Sequence, residues 1–273
     1  MEFRATPTQP EAVSATADKL VVFQCGSERF DAAVFDAFDE RVGSDIEIPY
    51  LFFLIQHGES NILFDAGAHP DLVHDSESRM GPDVAKWDVR VTAEDLAEAR
   101  LRAYGLEPGD ITHVVLSHLH YDHVGGVSQF PNARLIVQAR ELEFARNPAP
   151  FQRDIYCPAD FDMEFQTVDG EHDLLGDGAV TLVPTHGHTP GHQSMLVRLR
   201  GQDVILVGDA ACNPEKLAQR ALPTGSLCWS ADEFYRSHDR LEALRQATGA
   251  VLICGHDEQF RTRLRIFPEG QYE

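Results

Sequence analysis

The chain has 273 residues, of which 43% are hydrophobic and 9% aromatic, so it can bury a sizeable core and is not a disordered chain. Its 44 acidic residues outnumber its 23 basic ones, and the formal charge of −21 repels nucleic-acid phosphates and anionic lipid surfaces. We therefore expect neither nucleic acid nor a membrane as a partner.

The N-terminal segment, residues 1–18, contains prolines and small polar residues but no basic start followed by an apolar core. We expect a flexible extension over residues 1–18 rather than a secretory signal, and one catalytic domain over residues 19–273. The five cysteines show no Cys-x-x-Cys spacing and predict no disulfide framework. Because no apolar run is long enough to span a membrane either, we expect a cytoplasmic protein.

Short apolar runs in the first half of the chain predict a series of strands with one helix among them. The strands are expected at residues 20–23, 48–56, 62–64 and 111–117. The helix is expected over residues 92–104, because apolar residues recur there at helical intervals between a capping threonine and Gly105. The third strand ends in Asp65, and the fourth delivers its end directly to His118.

The second half continues the alternation of short strands and helices. Strands are expected at residues 135–137, 180–183, 195–199, 204–207 and 251–254, and helices at residues 140–146 and 231–247. The segment 147–177 is weakly periodic and rich in Pro, Asp and Phe, so we expect a long functional loop there. Many strands with interspersed helices and no fixed repeat predict a layered α/β fold.

The densest group of chemistry-bearing residues directly follows the strand at residues 111–117. The run His118-Leu119-His120-Tyr121-Asp122-His123 places three imidazoles and one carboxylate in six positions. Imidazole nitrogens and carboxylate oxygens suit zinc and similar divalent ions, and Gly125-Gly126 lets the backbone pass close to such a site. We interpret the run as part of a metal site rather than as a surface cluster.

Three later segments have the same form, each with a polar residue placed just after an apolar strand. They are Val183-Pro184-Thr185-His186-Gly187-His188, Leu206-Val207-Gly208-Asp209 and Ile253-Cys254-Gly255-His256. Each segment alone is weak evidence for a metal ligand, because a lone histidine after a strand is more often a structural residue.

Together and in this order, the segments resemble the motifs of the metallo-β-lactamase superfamily over nearly the whole chain. The resemblance implies a four-layered αβ/βα sandwich with metal ions at the rim of its two sheets. The implied ligands are His118, His120 and His188 for one ion, and Asp122, His123 and His256 for the other. Asp209 would bridge the two ions, and Asp65 would orient a ligand histidine. His186 and His192 flank His188, but the family pattern places the ligand before Thr189-Pro190-Gly191.

The ligand set leaves open positions on two divalent ions, as a catalytic site requires. We expect zinc, although such sites also accept iron, manganese or cobalt. A hydroxide that bridges the two ions would attack a lactone or ester carbonyl, with Asp122 shuttling the proton and Asp209 holding both ions. The substrate is therefore expected to be a small-molecule lactone or ester.

Within the superfamily the chain looks most like the N-acyl-homoserine lactonase branch, whose members open lactones that include bacterial quorum signals. Members of that branch usually carry a tyrosine three residues after the bridging aspartate, where this chain has Cys212. A thiol is a weak hydrogen-bond donor. Either another residue takes the role of the tyrosine, or the substrate differs from an acyl-homoserine lactone.

Other functions on the same fold stay open. A thioester, aryl ester or phosphoester hydrolase would keep the ligands and differ in the pocket, for which we expect contributions from residues 147–177 and 221–229. Residues 83–87 and 227–229 could supply apolar walls. A di-iron redox protein would normally have a glutamate where this chain has His120, and a non-catalytic binding protein would usually have lost ligands. The sequence leaves the choice between a monomer and a homodimer open.

Overall fold

The computed structural model describes residues 15–81 and 87–273. Within these ranges the strands are β1 Lys19–Asp31, β2 Asp45–His57, β3 Ser60–Phe64, β4 His113–Val115, β5 Arg134–Gln138, β6 Gln166–Val168, β7 His172–Asp173, β8 Val180–Pro184, β9 Gln193–Val197, β10 Val204–Gly208 and β11 Val251–Cys254. The α-helices are α1 Ser76–Met80, α2 Ala97–Tyr104, α3 Tyr121–Val124, α4 Ala139–Ala145, α5 Pro214–Gln219, α6 Ala231–Thr248 and α7 Phe260–Arg263.

The strands form two mixed sheets. The first has the order β1-β2-β3-β4-β5-β6, antiparallel from β1 to β3 and parallel from β3 to β6. The second has the order β11-β10-β9-β8-β7, antiparallel except for the parallel pair β10 and β11. The carboxyl ends of β3 and β4 therefore meet at one edge of the first sheet, as those of β10 and β11 do in the second.

The core is divided by the alternation of side chains along each strand. On β1, Leu20 and Val22 face a core formed with residues of the second sheet, whereas Val21 and Phe23 face a core formed with the helices. On the outer face of the second sheet, Ile205 packs in a third cluster with Leu241 of α6. The layers are thus helix, sheet, sheet and helix, which confirms the predicted fold.

The helix expected over residues 92–104 is interrupted. Thr92 donates hydrogen bonds from its backbone N and its Oγ1 to Oδ2 of Asp95, which closes a single 3₁₀ turn over Ala93–Asp95. Leu96 then has an extended ψ of 141°, and α2 begins only at Ala97. The capping signal at Thr92 is present, but it begins a separate short turn rather than the long helix.

The segment 147–177 is not entirely a loop. Its first part contains 3₁₀ turns at Arg153–Ile155 and Pro158–Asp160, whereas its second part contributes β6 and β7. Those strands lie at the edges of the two sheets, so the segment passes from the first sheet to the second.

The expected N-terminal extension falls mostly outside the described residues, since only residues 15–18 of it are described. Ala17 is buried, and its backbone N donates to the carbonyl of Arg198 at 2.8 Å. The boundary at residue 18 stays a prediction. Among residues 15–81 and 87–273, no helix is both long enough and apolar enough to cross a membrane.

Candidate metal centre

The sequence-predicted ligands gather where strands of the two sheets end. His118 follows β4, His188 lies in the turn between β8 and β9, Asp209 follows β10, and His256 follows β11. His120 is the N-cap of the short helix α3, whose first turn carries Asp122 and His123. The structure therefore brings together residues that lie up to 138 positions apart, from His118 to His256.

Three histidine nitrogens converge on one point. Nε2 of His118 lies 2.8 Å from Nδ1 of His120, and Nε2 of His188 lies 3.2 and 3.1 Å from these two atoms. Burial lowers the pKa of all three histidines, which keeps the rings neutral at neutral pH. Neutral rings present lone pairs here, and a divalent metal ion held by the three nitrogens would satisfy them.

A second group lies beside the first and contains a carboxylate. Oδ2 of Asp122 is 3.3 Å from Nε2 of His123 and 3.4 Å from Nε2 of His256. All three residues are buried, and their ligand atoms lie within 4.8 Å of one another.

Asp209 stands between the two groups and contacts both. Its Oδ2 lies 3.4 Å from Nε2 of His188 in the first group and 3.2 Å from Nε2 of His256 in the second. Its Oδ1 lies 3.4 Å from Nε2 of His123. One carboxylate is therefore positioned to reach two adjacent cations.

The charges of this cluster also fit cations. Burial alone would lower the pKa of His256, but the Asp209 and Asp122 carboxylates raise that pKa to about 9. The pKa of His123 is likewise raised well above its usual range, against burial, by Asp122 and Asp209. Within the described part of the chain, His123 Nε2 and Asp209 Oδ1 are buried without a hydrogen-bond partner. Divalent ions would replace the two protons and satisfy both atoms.

The sequence of the chain also matches that of a known family. The model of the metallo-beta-lactamase superfamily matches residues 48–256. The chain belongs to this superfamily. The matched range runs from β2 to His256 and contains every predicted metal ligand.

Curated members of the superfamily resemble the chain over most of its length. The N-acyl homoserine lactonase AttM of Azorhizobium caulinodans is 40% identical over 225 residues, which are 79% of this chain and 84% of that protein. AttM of Agrobacterium fabrum is 36% identical over 237 residues, or 83% of this chain and 89% of that protein.

Solved structures agree in fold. A hydrolase of N-acyl homoserine lactones, solved with the product N-hexanoyl-L-homoserine at its catalytic metal centre, superposes with a TM-score of 0.81 at 26% identity. The match covers 93% of this chain and 99% of that one. The dizinc quorum-quenching lactonase AidC has a TM-score of 0.65 at 18% identity, covers 89% of this chain and 90% of its own, and supports the fold alone.

Three of the predicted ligand histidines also have a hydrogen-bond partner on the ring nitrogen that points away from the cluster. Nδ1 of His188 contacts the carbonyl of Leu227 and Nδ1 of His256 that of Pro49, both at 2.8 Å. Asp65, which follows β3, has its Oδ2 2.8 Å from Nδ1 of His123. Asp65 therefore contacts His123, which is one of the predicted ligands, and its role in orienting that ring stays a prediction.

Asp65 is expected to tighten metal binding through His123. An Asp65→Asn variant keeps the size of the side chain but loses the charge that polarises the ring, so we expect metal affinity to fall about 10–100-fold. Competition with a chromophoric chelator measures the affinity. Asp177→Asn is the matched control, because Asp177 forms a similar pair with His57, 2.7 Å away on the surface. Equal affinities in the two variants would contradict the role.

His192, considered from the sequence as an alternative ligand, faces the backbone instead. Its Nε2 accepts a hydrogen bond from the backbone N of Asp209 at 2.9 Å, and its Nδ1 donates to the carbonyl of Thr185 at 3.0 Å. Burial, assisted by His188, lowers the pKa of His192 to about 3. His192 thus positions Asp209, whereas His186 belongs to neither ligand group among the described residues.

The sequence analysis missed Glu141, which lies on α4. Its carboxylate connects two loops that carry predicted ligands, here named the two ligand loops: the loop after β4 with His118 and the turn between β8 and β9 with His188. Its Oε1 accepts from the backbone N of Leu119, at 3.1 Å, and from the hydroxyl of Tyr156. Its Oε2 accepts from the hydroxyl of Thr189 at 2.6 Å and from the backbone N of Gly191 at 3.1 Å. A Cβ on Gly191 would lie 2.2 Å from the backbone N of Glu141, so only glycine allows this approach.

A second buried acid, Glu28 on β1, was also missed. The hydroxyl of Tyr121 donates to Oε2 of Glu28 at 2.5 Å, and the hydroxyl of Tyr50 lies 3.0 Å from that of Tyr121. Burial and the nearby Asp122 carboxylate raise the pKa of Glu28 to about 8. No local pattern on β1 marks Glu28, because its neighbours in the network come from other elements.

Two cavities are lined by both Asp209 and His256. The first is here named the Cys212 cavity and is also lined by Phe35, His188, Ala211, Cys212, Lys216, Ala221, Pro223, Leu227 and Phe234. The second is named the Glu28 cavity and is also lined by Glu28, Phe30, Phe35, Ile48, Trp87, His120, Tyr121, Asp122, Ile155 and Leu227. Residues 147–177 and 221–229 thus contribute walls, as expected from the sequence, and so does Trp87. Residues 83–86 of the other expected wall lie outside the described residues.

Proposed function

We propose that the chain is a dinuclear-metal hydrolase that opens lactones, with N-acyl homoserine lactones as the first candidates. The observation that carries the proposal is the placement of Asp209 within 3.4 Å of ligand nitrogens in two adjacent groups. The relatives named N-acyl homoserine lactonase, which match 79% and 83% of the chain, support the same substrate class.

The residues divide between two ions. His118, His120 and His188 would hold one zinc ion, Asp122, His123 and His256 the other, and Asp209 would contact both. Two bound zinc ions would supply an activated water and polarise the lactone carbonyl. His120, rather than a glutamate, in the first group favours hydrolysis over di-iron redox chemistry.

The chain's own groups would orient the reaction and move its proton. Ring opening adds the oxygen of water to the carbonyl carbon, breaks the bond to the ring oxygen, and leaves a hydroxy acid. Asp122, whose Oδ2 faces His123 and His256, would accept the proton of the water and return it to the ring oxygen. The two cavities, which share Asp209 and His256 as lining residues, would hold the ring and its substituent.

All five cysteines are free thiols in the structure, and Cys25, Cys157 and Cys254 are buried. Free thiols persist in reducing compartments, which supports the cytoplasmic location expected from the sequence.

The first experiment measures metal content by mass spectrometry together with proton release over a panel of lactones, esters, thioesters and phosphoesters. We expect about two metal ions per chain, lactone turnover, loss of turnover on chelation and its return when zinc is added back. Two metal ions with turnover of another panel class would keep the site and replace the substrate. A protein that binds no metal on reconstitution would contradict the hydrolase proposal.

Cys212 lines its cavity where the resemblance expects a tyrosine, so restoring the phenol tests the acyl-homoserine lactone assignment. We expect Cys212→Tyr to exceed Cys212→Phe in kcat/KM for such lactones by about tenfold, because one added hydrogen bond to the substrate contributes roughly 1–1.5 kcal/mol. The phenylalanine variant is the matched control for added volume. Equal values for the two variants would mean that the hydroxyl finds no substrate oxygen.

A further inference from the structure

The Glu28 cavity combines mostly apolar walls with one buried acid outside the ligand set. Phe30, Ile48, Trp87 and Ile155 supply apolar surface. Glu28 is only 4% exposed, yet it lines the same cavity as Asp122 and His256. A carboxyl group in such surroundings is unfavourable unless it forms hydrogen bonds.

The Glu28 carboxyl is held in place but keeps acceptor capacity. Tyr121 donates to its Oε2 at 2.5 Å, and Tyr121 is in turn 3.0 Å from Tyr50, so two tyrosines from different elements fix the group. A carboxylate has about four acceptor positions, and Tyr121 uses one of them. A carboxylate or a neutral carboxyl can therefore still accept a hydrogen bond from a molecule in the cavity.

We propose that Glu28 determines substrate specificity by accepting a hydrogen bond from an N–H or O–H group that the substrate carries next to its lactone carbonyl. The inference rests on the proposed lactone hydrolysis. Since Asp122 and His256 line the cavity too, the ring would lie at the ligand cluster while its substituent passes Glu28. A longer apolar tail would then continue along Trp87 and Ile155.

The alternative, a plain alkyl substituent, fits this cavity less well. It would cover the Glu28 carboxyl without offering a donor, and a site built around a buried polar group discriminates strongly against a ligand that leaves it unpaired. Glu28 therefore selects donor-bearing lactones, such as α-acylamino or α-hydroxy γ-butyrolactones, over alkyl lactones.

The test compares matched pairs of lactones that differ in one donor. An α-acylamino-γ-butyrolactone is paired with its N-methyl analogue, and α-hydroxy-γ-butyrolactone with its methoxy analogue, which separates the N–H source from the O–H source. In the wild type, we expect kcat/KM to favour the donor-bearing member of at least one pair by about 10–100-fold. Glu28→Leu should reduce that ratio to about one, and Glu28→Gln, which keeps an acceptor oxygen, should retain most of it.

Control variants separate the loss of substrate recognition from a loss of folding or of metal binding. Glu47→Leu changes an exposed acid on the neighbouring strand β2 and should leave every ratio unchanged. Metal content and melting temperature are compared in each variant, and Glu28→Met replaces Glu28→Leu if the latter does not fold.

The outcomes are distinct. A ratio that persists in the apolar variants, or equal slowing of both members of each pair, would overturn the role of Glu28 while leaving lactone hydrolysis intact. A wild-type protein that binds metal but opens no lactone would overturn the proposed function, and this inference with it.

Discussion

Replacing Asp209 by alanine is expected to reduce kcat/KM by at least about 10²–10³-fold, the cost typical of removing a group that stabilises charge in the reaction. The metal content should also fall below two ions per chain. The reason is that Asp209 contacts both ligand groups. Its loss would therefore weaken the binding of each ion and remove the carboxylate that the two ions would share. Steady-state kinetics and metal analysis on the same preparation measure both effects.

The strand that carries Asp209 offers its own control. Asp203 lies immediately before β10, as Asp209 lies immediately after it, and pairs with Arg198 at 3.1 Å near the surface. Asp203→Ala should change neither kcat/KM nor metal content. Asp209→Asn, which keeps one oxygen, should bind more metal than Asp209→Ala but remain impaired. Wild-type activity in Asp209→Ala would contradict the shared-ligand assignment.

The gathering of the predicted ligands at one place could be anticipated because these residues follow strands that a local pattern reveals. Val114 and Val115 mark β4 as buried, and the chain must leave the sheet at the next polar residues, which brings His118 to the rim. The same logic applies to Asp209 after β10 and His256 after β11. Local patterns do not show which of these strand ends lie close together. That information came from the order of the motifs, which resembles the order in a known superfamily.

The two buried acids near the predicted ligands, Glu141 and Glu28, could not be predicted, because their hydrogen-bond partners are distant in sequence. In the sequence, Glu141 looks like any acidic residue on a helix. In the structure its carboxylate oxygens accept hydrogen bonds from the backbone N atoms of Leu119 and Gly191, which lie 22 and 50 positions away. Glu28 similarly meets Tyr121 across 93 positions. A buried acid is revealed only by the tertiary packing that surrounds it, since an exposed acid has the same local sequence pattern.

The interrupted helix after Thr92 shows the limit of local signals in another way. A capping threonine with an acid three residues later is compatible with a long helix and with a single turn. Leu96 separates the two elements, because its extended backbone ends the turn and α2 begins at the next residue. Its conformation places Ala97 and Leu101 in the core against the first sheet, a requirement that the local sequence does not state.

Glu141→Ala is expected to destabilise the protein by at least about 3 kcal/mol, because it leaves four donors without their acceptor and each buried unsatisfied group costs about 1–3 kcal/mol. The donors are the backbone N of Leu119 and Gly191 and the hydroxyls of Thr189 and Tyr156. Leu119 separates His118 from His120, and Thr189 follows His188, so the loss also loosens the first ligand group. We therefore expect weaker metal binding as well.

Urea unfolding of metal-free protein separates the stability effect from the metal effect, which chelator competition measures. Glu141→Gln should lie between the wild type and Glu141→Ala, because its amide keeps one acceptor oxygen but turns its NH₂ group toward donors. Glu143→Ala is the matched control, since Glu143 is exposed on the same helix. If Glu141→Ala kept the wild-type unfolding free energy and metal affinity, the two ligand loops would be held by their own backbone conformation rather than by this carboxylate.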